Sequence, residues 1–350
     1  MITSWLTPFY AGAIAARAGL YDAGWLRSER LPVPVLSVGN LTAGGTGKSP
    51  MVELIARTLR DLGRRPAVVS RGYGGTHTGR ATVVSTGEGA LVDAVVAGDE
   101  PVMLAEALAG VPVIVAHRRR EGGELAIGSF GARCIVLDDG FQHRAICRDL
   151  DLLLIDGADP FGNGRLLPAG PLREPLSAMT RADAVVVTRA DRATPETLQR
   201  IRDAVGRHCP AAPIFNARSI SRDLVRLTDQ VTVPLDALRG TRVACFAGIA
   251  HPGRFFDDVA SAGATVVASV GFPDHHRFDA LDLERVGSTA LQAKADLILT
   301  TRKDAARLGR IPLPPSLAAL HALRVATVVD KGDDGDESDL FVQLLERSVP

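Results

Sequence analysis

The 350-residue chain carries 40 basic and 40 acidic side chains, and 46% of its residues are hydrophobic. That length leaves room for two domains with substantial cores, and the balanced charge rules out a global field that recruits nucleic acid, so no nucleic acid is expected as a partner. Cys134, Cys147, Cys209 and Cys245 are scattered, with no C-x-x-C pair and no metal-ligand spacing, which excludes a disulfide scaffold and suits a reducing compartment.

Residues 1–16 hold no charged side chain, and both tryptophans (Trp5, Trp25) and two of the three tyrosines (Tyr10, Tyr21) fall within the first 25 residues. The run is shorter than the roughly 20 residues of a spanning helix, and no basic segment precedes it as in a cleaved signal peptide. Such aromatics favour the membrane–water interface, where Arg17, Arg27 and Arg30 can meet anionic headgroups. The expectation is a membrane-associating helix over residues 1–26, peripheral or shallowly inserted; the alternative is an apolar helix packed on the domain.

An apolar run at residues 33–38 leads into a glycine-rich turn, then Gly47-Lys48-Ser49, then a helix-like segment at 50–62. Strand, glycine loop and helix in that order make a phosphate cradle. Backbone N–H groups converge on one concavity, and the helix start adds its positive dipole end. Thr42, Ala43, Gly44, Gly45, Thr46, Gly47, Lys48 and Ser49 are expected to hold the phosphates. Lys48 would reach the β- and γ-phosphates, and the Ser49 hydroxyl would face Mg²⁺. The usual loop reads G-x-x-x-x-G-K-[ST], and here Thr42 occupies the place of the first glycine.

Beyond this loop, apolar runs at residues 67–70, 111–116, 134–137, 150–155 and 184–188 alternate with helical patterns such as 100–108 and 194–208. Near-continuous Val/Ile/Leu strands separated by helices predict a largely parallel sheet covered on both faces, an α/β architecture of the P-loop NTPase type. Gly98-Asp99-Glu100-Pro101 opens one of the helices, where acids serve as caps or as a base beside an attacking hydroxyl. The basic cluster His117-Arg118-Arg119-Arg120 reads as a solvated helix start or as a local anion patch. The run Cys134-Ile135-Val136-Leu137 ends in Asp138-Asp139, a Walker-B arrangement. Asp138 is expected near Mg²⁺ with Asp139 assisting, and Glu100 is the next candidate for the metal.

Residues 213–240 are charged and turn-rich and read as a linker of extended strands. A second, smaller α/β unit follows, with strands at 242–249, 265–270 and 297–300 and a helix from Pro252. The predicted organisation is therefore 1–26, 27–212, 213–240 and 241–350. Asp274-His275-His276 lies in the second unit; adjacent histidines seldom chelate one metal, but a loop histidine at a cleft can tune a base. Val187-Thr188-Arg189-Ala190-Asp191 and Thr301-Arg302-Lys303-Asp304 loosely share the [NT]-K-x-D spacing that reads guanine. A GTP-dependent switch or metallochaperone-like NTPase is accordingly the alternative class.

Taken together, Val38-Gly-Asn-Leu-Thr-Ala-Gly-Gly-Thr-Gly-Lys-Ser-Pro50 resembles the phosphate loop of the tetraacyldisaccharide 4′-kinases of lipid A biosynthesis, a family that also carries Thr at the first glycine position. The resemblance continues through Ser70-Arg-Gly-Tyr-Gly-Gly75, the Gly98–Pro101 block and Leu137-Asp-Asp-Gly-Phe-Gln-His-Arg144. It then runs through Arg148-Asp-Leu-Asp151 and Gly162-Asn-Gly-Arg-Leu-Leu-Pro-Ala-Gly-Pro-Leu-Arg-Glu-Pro175. In the second half it is carried by Asp274-His275 and Thr301-Arg302-Lys303-Asp304. It implies transfer of the ATP γ-phosphate to the 4′-hydroxyl of a tetraacyldisaccharide 1-phosphate, giving lipid IV-A. It also implies an enzyme at the cytoplasmic face of the bacterial inner membrane, acting on a lipid held in the bilayer and with no obligate protein partner evident. Asp99 is implied as base, helped by His275 in preference to His276.

Overall fold

The computed structural model describes residues 4–309, 311–330 and 337–350, so the first three residues of the predicted 1–26 segment, and residues 310 and 331–336 of the predicted second unit, lie outside the description. The chain opens with helix α1 (Thr7–Asp22), none of whose side chains is buried. Trp5, Phe9 and Trp25 are 63%, 72% and 81% exposed. One flank of α1 is tethered: the Tyr10 hydroxyl donates to Arg173 O, Arg17 donates to Gln142 O, and Arg144 pairs with Asp22. No described helix is long and apolar enough to cross a membrane.

A first sheet follows, built from β1 (Val35–Asn40), β2 (Pro66–Ser70), β3 (Thr82–Ser85), β4 (Val113–Val115), β5 (Cys134–Asp138), β6 (Leu150–Asp156) and β7 (Ala184–Thr188). Its order is β3-β4-β2-β5-β1-β6-β7, parallel except for the edge strand β3. Strands β1, β2, β4, β5, β6 and β7 are buried along their whole length, as expected when helices cover both faces. The helices are α2 (Lys48–Asp61), the single turn α3 (Ala94–Ala97), α4 (Asp99–Ala107), α5 (Arg119–Phe130) and α6 (Pro195–His208). In α2, the spacing of Met51, Val52, Ile55, Ala56 and Leu59 forms one fully buried stripe, the signature of a helix laid on a sheet.

Strand β8 (Ile214–Arg226) changes partner midway. Residues 214–216 pair parallel with β7, and residues 217–226 pair antiparallel with β13 (Leu320–Val329). The short β9 (Thr232–Pro234) pairs with β8, and β10 (Arg242–Ala247), β11 (Thr265–Gly271) and β12 (Leu297–Thr301) complete a second parallel set in the order β11-β10-β12-β13. Helices α7 (Pro252–Ser261), α8 (Ala280–Gln292) and α9 (Arg302–Leu308) surround it. Because β8 runs on past the carboxyl end of β7 before pairing backwards with β13, the second sheet lies beyond the first and points its strands back at it. The carboxyl edges of the two sheets therefore face each other.

Two features depart from the sequence reading. The final helix α10 (Glu337–Ser348) belongs by position to the 241–350 unit, yet Phe341 and Leu345 pack with Phe215, Ala217, Ile55 and Leu59 in the core of the first sheet. The end of β13 already lies beside that core, since Asp330 N donates to Asn216 O next to β7. Strand β13, central in the second sheet, also was not singled out: its identity depends on neighbours remote in sequence.

One close approach fixes the frame beneath the phosphate loop. A Cβ on Gly39 would lie 2.6 Å from Phe141 Cβ and 2.7 Å from its backbone nitrogen, and a backbone atom cannot swing aside. Gly39→Ala is expected to cost about 1–3 kcal/mol through overpacking, read from the midpoint of urea unfolding.

Candidate active site

Between Asn40 and α2 the chain turns through Gly44 at φ +118° and Gly47 at φ +78°, conformations that glycine adopts without Cβ strain. The loop is pinned from two sides. Ala43 N donates to Pro171 O and Arg173 N to Leu41 O, while Arg189 donates to Gly45 O and Thr188 Oγ1 to Thr46 O. Thr42 is buried and both its carbonyl and its hydroxyl accept from Asn40 Nδ2, so the residue in the first glycine's place ties the loop to β1. Gly44 and Gly45 are exposed. Lys48 and Ser49 are buried in the first turn of α2. Lys48 Nζ folds back to Asn40 Oδ1 at 3.1 Å and stands 3.7 Å from Asp139 Oδ1.

Asp138 ends β5, one strand away from the loop. Its Oδ2 accepts from Ser70 Oγ at 2.9 Å, and its buried Oδ1 has no protein partner among the described residues. Burial, with the neighbouring Glu100 and Asp139 charges, pushes its pKa up to about 7. Asp139 has a left-handed backbone at φ +53°, which turns its carboxylate to Arg173 at 2.8 and 3.0 Å and toward Lys48. Burial opposes its ionisation, but Lys48 and Arg173 outweigh that and hold it below the usual carboxylate range. Successive acids thus point to different partners.

The basic cluster at 117–120 is not simply a solvated helix start. Arg119 is 2% exposed and donates to Asp138 O and Ala116 O, bracing the end of β5. Burial lowers its pKa to about 10. Nothing local marks this role; the helix register alone sends Arg119 inward.

Asp99 begins α4 of the first sheet, where the second sheet's α9 and His275 loop reach it. A Cβ on Gly98 would meet Tyr73 O at 2.5 Å, and one on Gly75 would meet Val96 O at 2.5 Å. The glycines of Ser70-Arg-Gly-Tyr-Gly-Gly75 therefore let that turn press against the backbone that presents Asp99. The Asp99 Oδ2 atom receives Arg307 Nη2 at 2.6 Å and Nε at 3.0 Å, with His275 Nδ1 at 3.4 Å and Lys303 Nζ at 3.8 Å. Burial raises its pKa, but Lys303 and Arg307 outweigh that and bring it below the ordinary value. Glu100 pairs with Lys303 at 3.2 Å and lies close enough to Asp138 to raise its pKa. The two acidic clusters therefore share one field.

The structure separates the two histidines. His275, left-handed at φ +59°, turns to Asp99, whereas His276 stacks on Phe272 and bonds Asp282 at 2.7 Å. The two guanine-like segments also part. Thr188-Arg189 supports the phosphate loop as described, while α9 faces the other sheet: Arg302 bonds Glu53 and Met103 O, and Lys303 bonds Glu100. Arg173 and Arg307 are site residues that sequence reasoning did not assign, and Arg302 ties α9 to the first sheet; each acts across at least 34 residues of chain.

The sequence matches the family described as tetraacyldisaccharide-1-P 4′-kinase over residues 2–343. The chain belongs to that family. A tetraacyldisaccharide 4′-kinase of Anaeromyxobacter dehalogenans is 45% identical over 342 residues, spanning 95% of this chain and 87% of the relative. One from Syntrophus aciditrophicus is 43% identical over 306 residues, 86% of this chain and 82% of the relative. The crystal structure of LpxK from Aquifex aeolicus in complex with ATP superposes with a TM-score of 0.78 at 32% identity, covering 99% of each chain.

Proposed function

We infer that the chain is an ATP-dependent lipid kinase that phosphorylates the 4′-hydroxyl of a tetraacyldisaccharide 1-phosphate, the step of lipid A biosynthesis that yields lipid IV-A. Family membership supports the activity. The observation that carries the mechanism is the meeting of two facing sheet edges, one holding a phosphate loop and the other bringing His275 and α9 to Asp99. The Aquifex aeolicus relative with ATP supports that nucleotide over GTP. So does the engagement of Lys303 with acids, since that lysine belongs to one of the two segments resembling a guanine reader. The functional units are 27–212 for the nucleotide, 213–240 as connector and 241–330 for the second wall, with α10 returning to the first core.

For the reaction, Lys48 exchanges its Asn40 contact for the β- and γ-phosphate oxygens, with residues 42–49 around them. Asp99 accepts the proton of the 4′-hydroxyl while that oxygen forms its bond to the γ-phosphorus and the bridging bond to ADP breaks. His275 shares the proton taken by Asp99. The site fits Mg²⁺, because Asp138 keeps a buried carboxylate oxygen without a protein partner among the described residues and Mg²⁺ typically binds through one or two carboxylates plus phosphates and water. The unpartnered Asp138 Oδ1 and the Ser49 hydroxyl would hold it, with Asp139 and Glu100 nearby. Once bound, the ion neutralises charge developing on the phosphates.

The acceptor's acyl chains stay in a bilayer, and α1 with its exposed Trp5, Phe9 and Trp25 suits interfacial attachment at the cytoplasmic face of the inner membrane. Its Tyr10 bond to Arg173 O, adjoining the Asp139 ion pair, supports an anchor close to the nucleotide.

The deciding assay supplies purified protein with Mg-ATP and the disaccharide 1-phosphate in detergent. A bisphosphorylated lipid is expected, with far lower turnover on GTP and loss of roughly 10²–10³-fold for Lys48→Ala; near-normal Lys48→Ala turnover sinks the phosphate-loop assignment. Because Asp138 has a raised pKa of about 7, protons compete with Mg²⁺ as pH falls through that value. The Mg²⁺ concentration for half-maximal rate should climb as pH falls from about 8 to about 6, and Asp138→Asn should flatten that climb while raising the requirement throughout. Replacing Trp5, Phe9 and Trp25 together by Ser should move the protein from membrane to soluble fractions with ATP affinity retained. A triple variant that still pellets with membranes argues for another anchor.

A further inference from the structure

Arg307 is the most heavily used cation in the cleft. Its side chain is 7% exposed, and so nearly is its partner Asp99 at 9%. Each of its five N–H groups has an acceptor. Nη2 and Nε converge on Asp99 Oδ2, Nη1 reaches Asp304 Oδ1 at 2.9 Å and Gly248 O, and Nη2 also lies 3.3 Å from His275 Nδ1. Asp304 is fully buried and held by Gly248 N and Thr301 Oγ1, so the guanidinium is anchored to the second sheet before it touches Asp99.

The contact with His275 carries chemical information. Arginine has only donors, so Nη2–H can bond Nδ1 only if Nδ1 bears its lone pair. That arrangement is the tautomer with its proton on Nε2, which faces Asp274 Oδ2 at 3.9 Å. Asp99 Oδ2 and His275 Nδ1, 3.4 Å apart, are both left as acceptors with Arg307 bridging them. Without that cation, two lone pairs so close would attract a proton between them.

We propose that Arg307 is the positioning residue of the Asp99–His275 pair: it fixes the two groups together and selects the His275 tautomer with a vacant Nδ1, so that the pair enters each turnover with no proton of its own. The acceptor hydroxyl then gives up its proton to Asp99 Oδ2, and His275 Nδ1 is the adjacent lone pair that shares it. The groups that face Asp99 are Lys303 and Arg307 from α9, His275 from its loop and Glu100 from its own helix. Of these, Arg307 alone contacts both members of the pair and Asp304. The inference rests on Asp99 acting as base.

The test compares Arg307→Gln, Arg307→Lys, Arg302→Gln and Asp99→Ala in the full-length enzyme with Mg-ATP and the disaccharide 1-phosphate. The readouts are kcat and KM for ATP across pH and the His275 ring nitrogens by ¹⁵N NMR. Arg307→Gln should lower kcat roughly 10–100-fold, the range expected when a reacting group is misplaced, with KM for ATP held. The acid limb of its kcat profile should move to higher pH, because a cation that favours the carboxylate has gone, and Nδ1 should become protonated. Lysine restores a charge but cannot span two acceptors in fork geometry, so Arg307→Lys should keep the acid limb while kcat stays depressed. Arg302→Gln loosens the same face of α9 without touching the pair, and should leave both limb and tautomer in place.

A wild-type acid limb and unchanged Nδ1 in Arg307→Gln overturn the proposal, as does an Arg302→Gln variant that shifts both. Should Arg307→Gln fail to bind ATP, Arg307→Lys decides: full kcat there overturns it. Near-normal kcat in Asp99→Ala instead removes the base assignment and this inference with it, whereas a dead Asp99→Ala beside an unperturbed Arg307→Gln sinks the inference alone.

Discussion

The partner change within β8 is the constraint on which the rest of the molecule depends. A strand that pairs parallel with β7 and then antiparallel with β13 reverses the direction of every strand added after it. In an open parallel sheet, loops at the carboxyl ends form the binding crevice. One sheet of this kind offers half a crevice; two with opposed carboxyl edges enclose it. Had β13 joined β8 in parallel, α9 and His275 would stand at the far end of the second sheet, remote from Asp99.

The facing edges bring acids together, and their charge must be offset. Asp99 is countered by Arg307 and Lys303, Asp139 by Arg173 and Lys48, and Glu53 by Arg302. Removing one member of a buried pair commonly costs about 3–5 kcal/mol, because the remaining charge is stranded. Asp138 is the exception: its Oδ1 lacks a protein partner and its pKa is raised by burial. Among these acids it is the one whose charge no protein cation contacts directly. Several of the balancing cations come from α9, seven residues long, so the contact between the two sheets and the charge around Asp99 are set by one short helix.

Much of the first sheet was legible because its signals are local. A fully buried parallel strand is apolar along nearly its whole length, as residues 184–187 are before Thr188 closes the strand, and a phosphate loop needs glycine, lysine and serine within one turn. Asp138-Asp139 could be recognised as a strand-end pair for the same reason. The division of labour within that pair was not legible, since it follows from a left-handed backbone at Asp139 and from Arg173, 34 residues away. The preference for His275 over His276 came from the resemblance alone, and its physical reason is tertiary: the ring of Phe272 and the carboxylate of Asp282 claim His276.

By itself, then, the sequence determined the α/β class, the phosphate loop, the strand-end acids and the family, because each is written in contiguous residues whose backbone and side-chain requirements are short-range. The tertiary structure alone decided that β13 is a central strand, that α10 returns to the first core, that Arg119 is buried against Asp138, and that Arg302 and Arg307 meet Glu53 and Asp99 across about 200 residues or more of chain. These are pairings between surfaces, and a surface acquires its partner only when the sheets close on each other. An arginine on a short helix carries no mark of which carboxylate it will face.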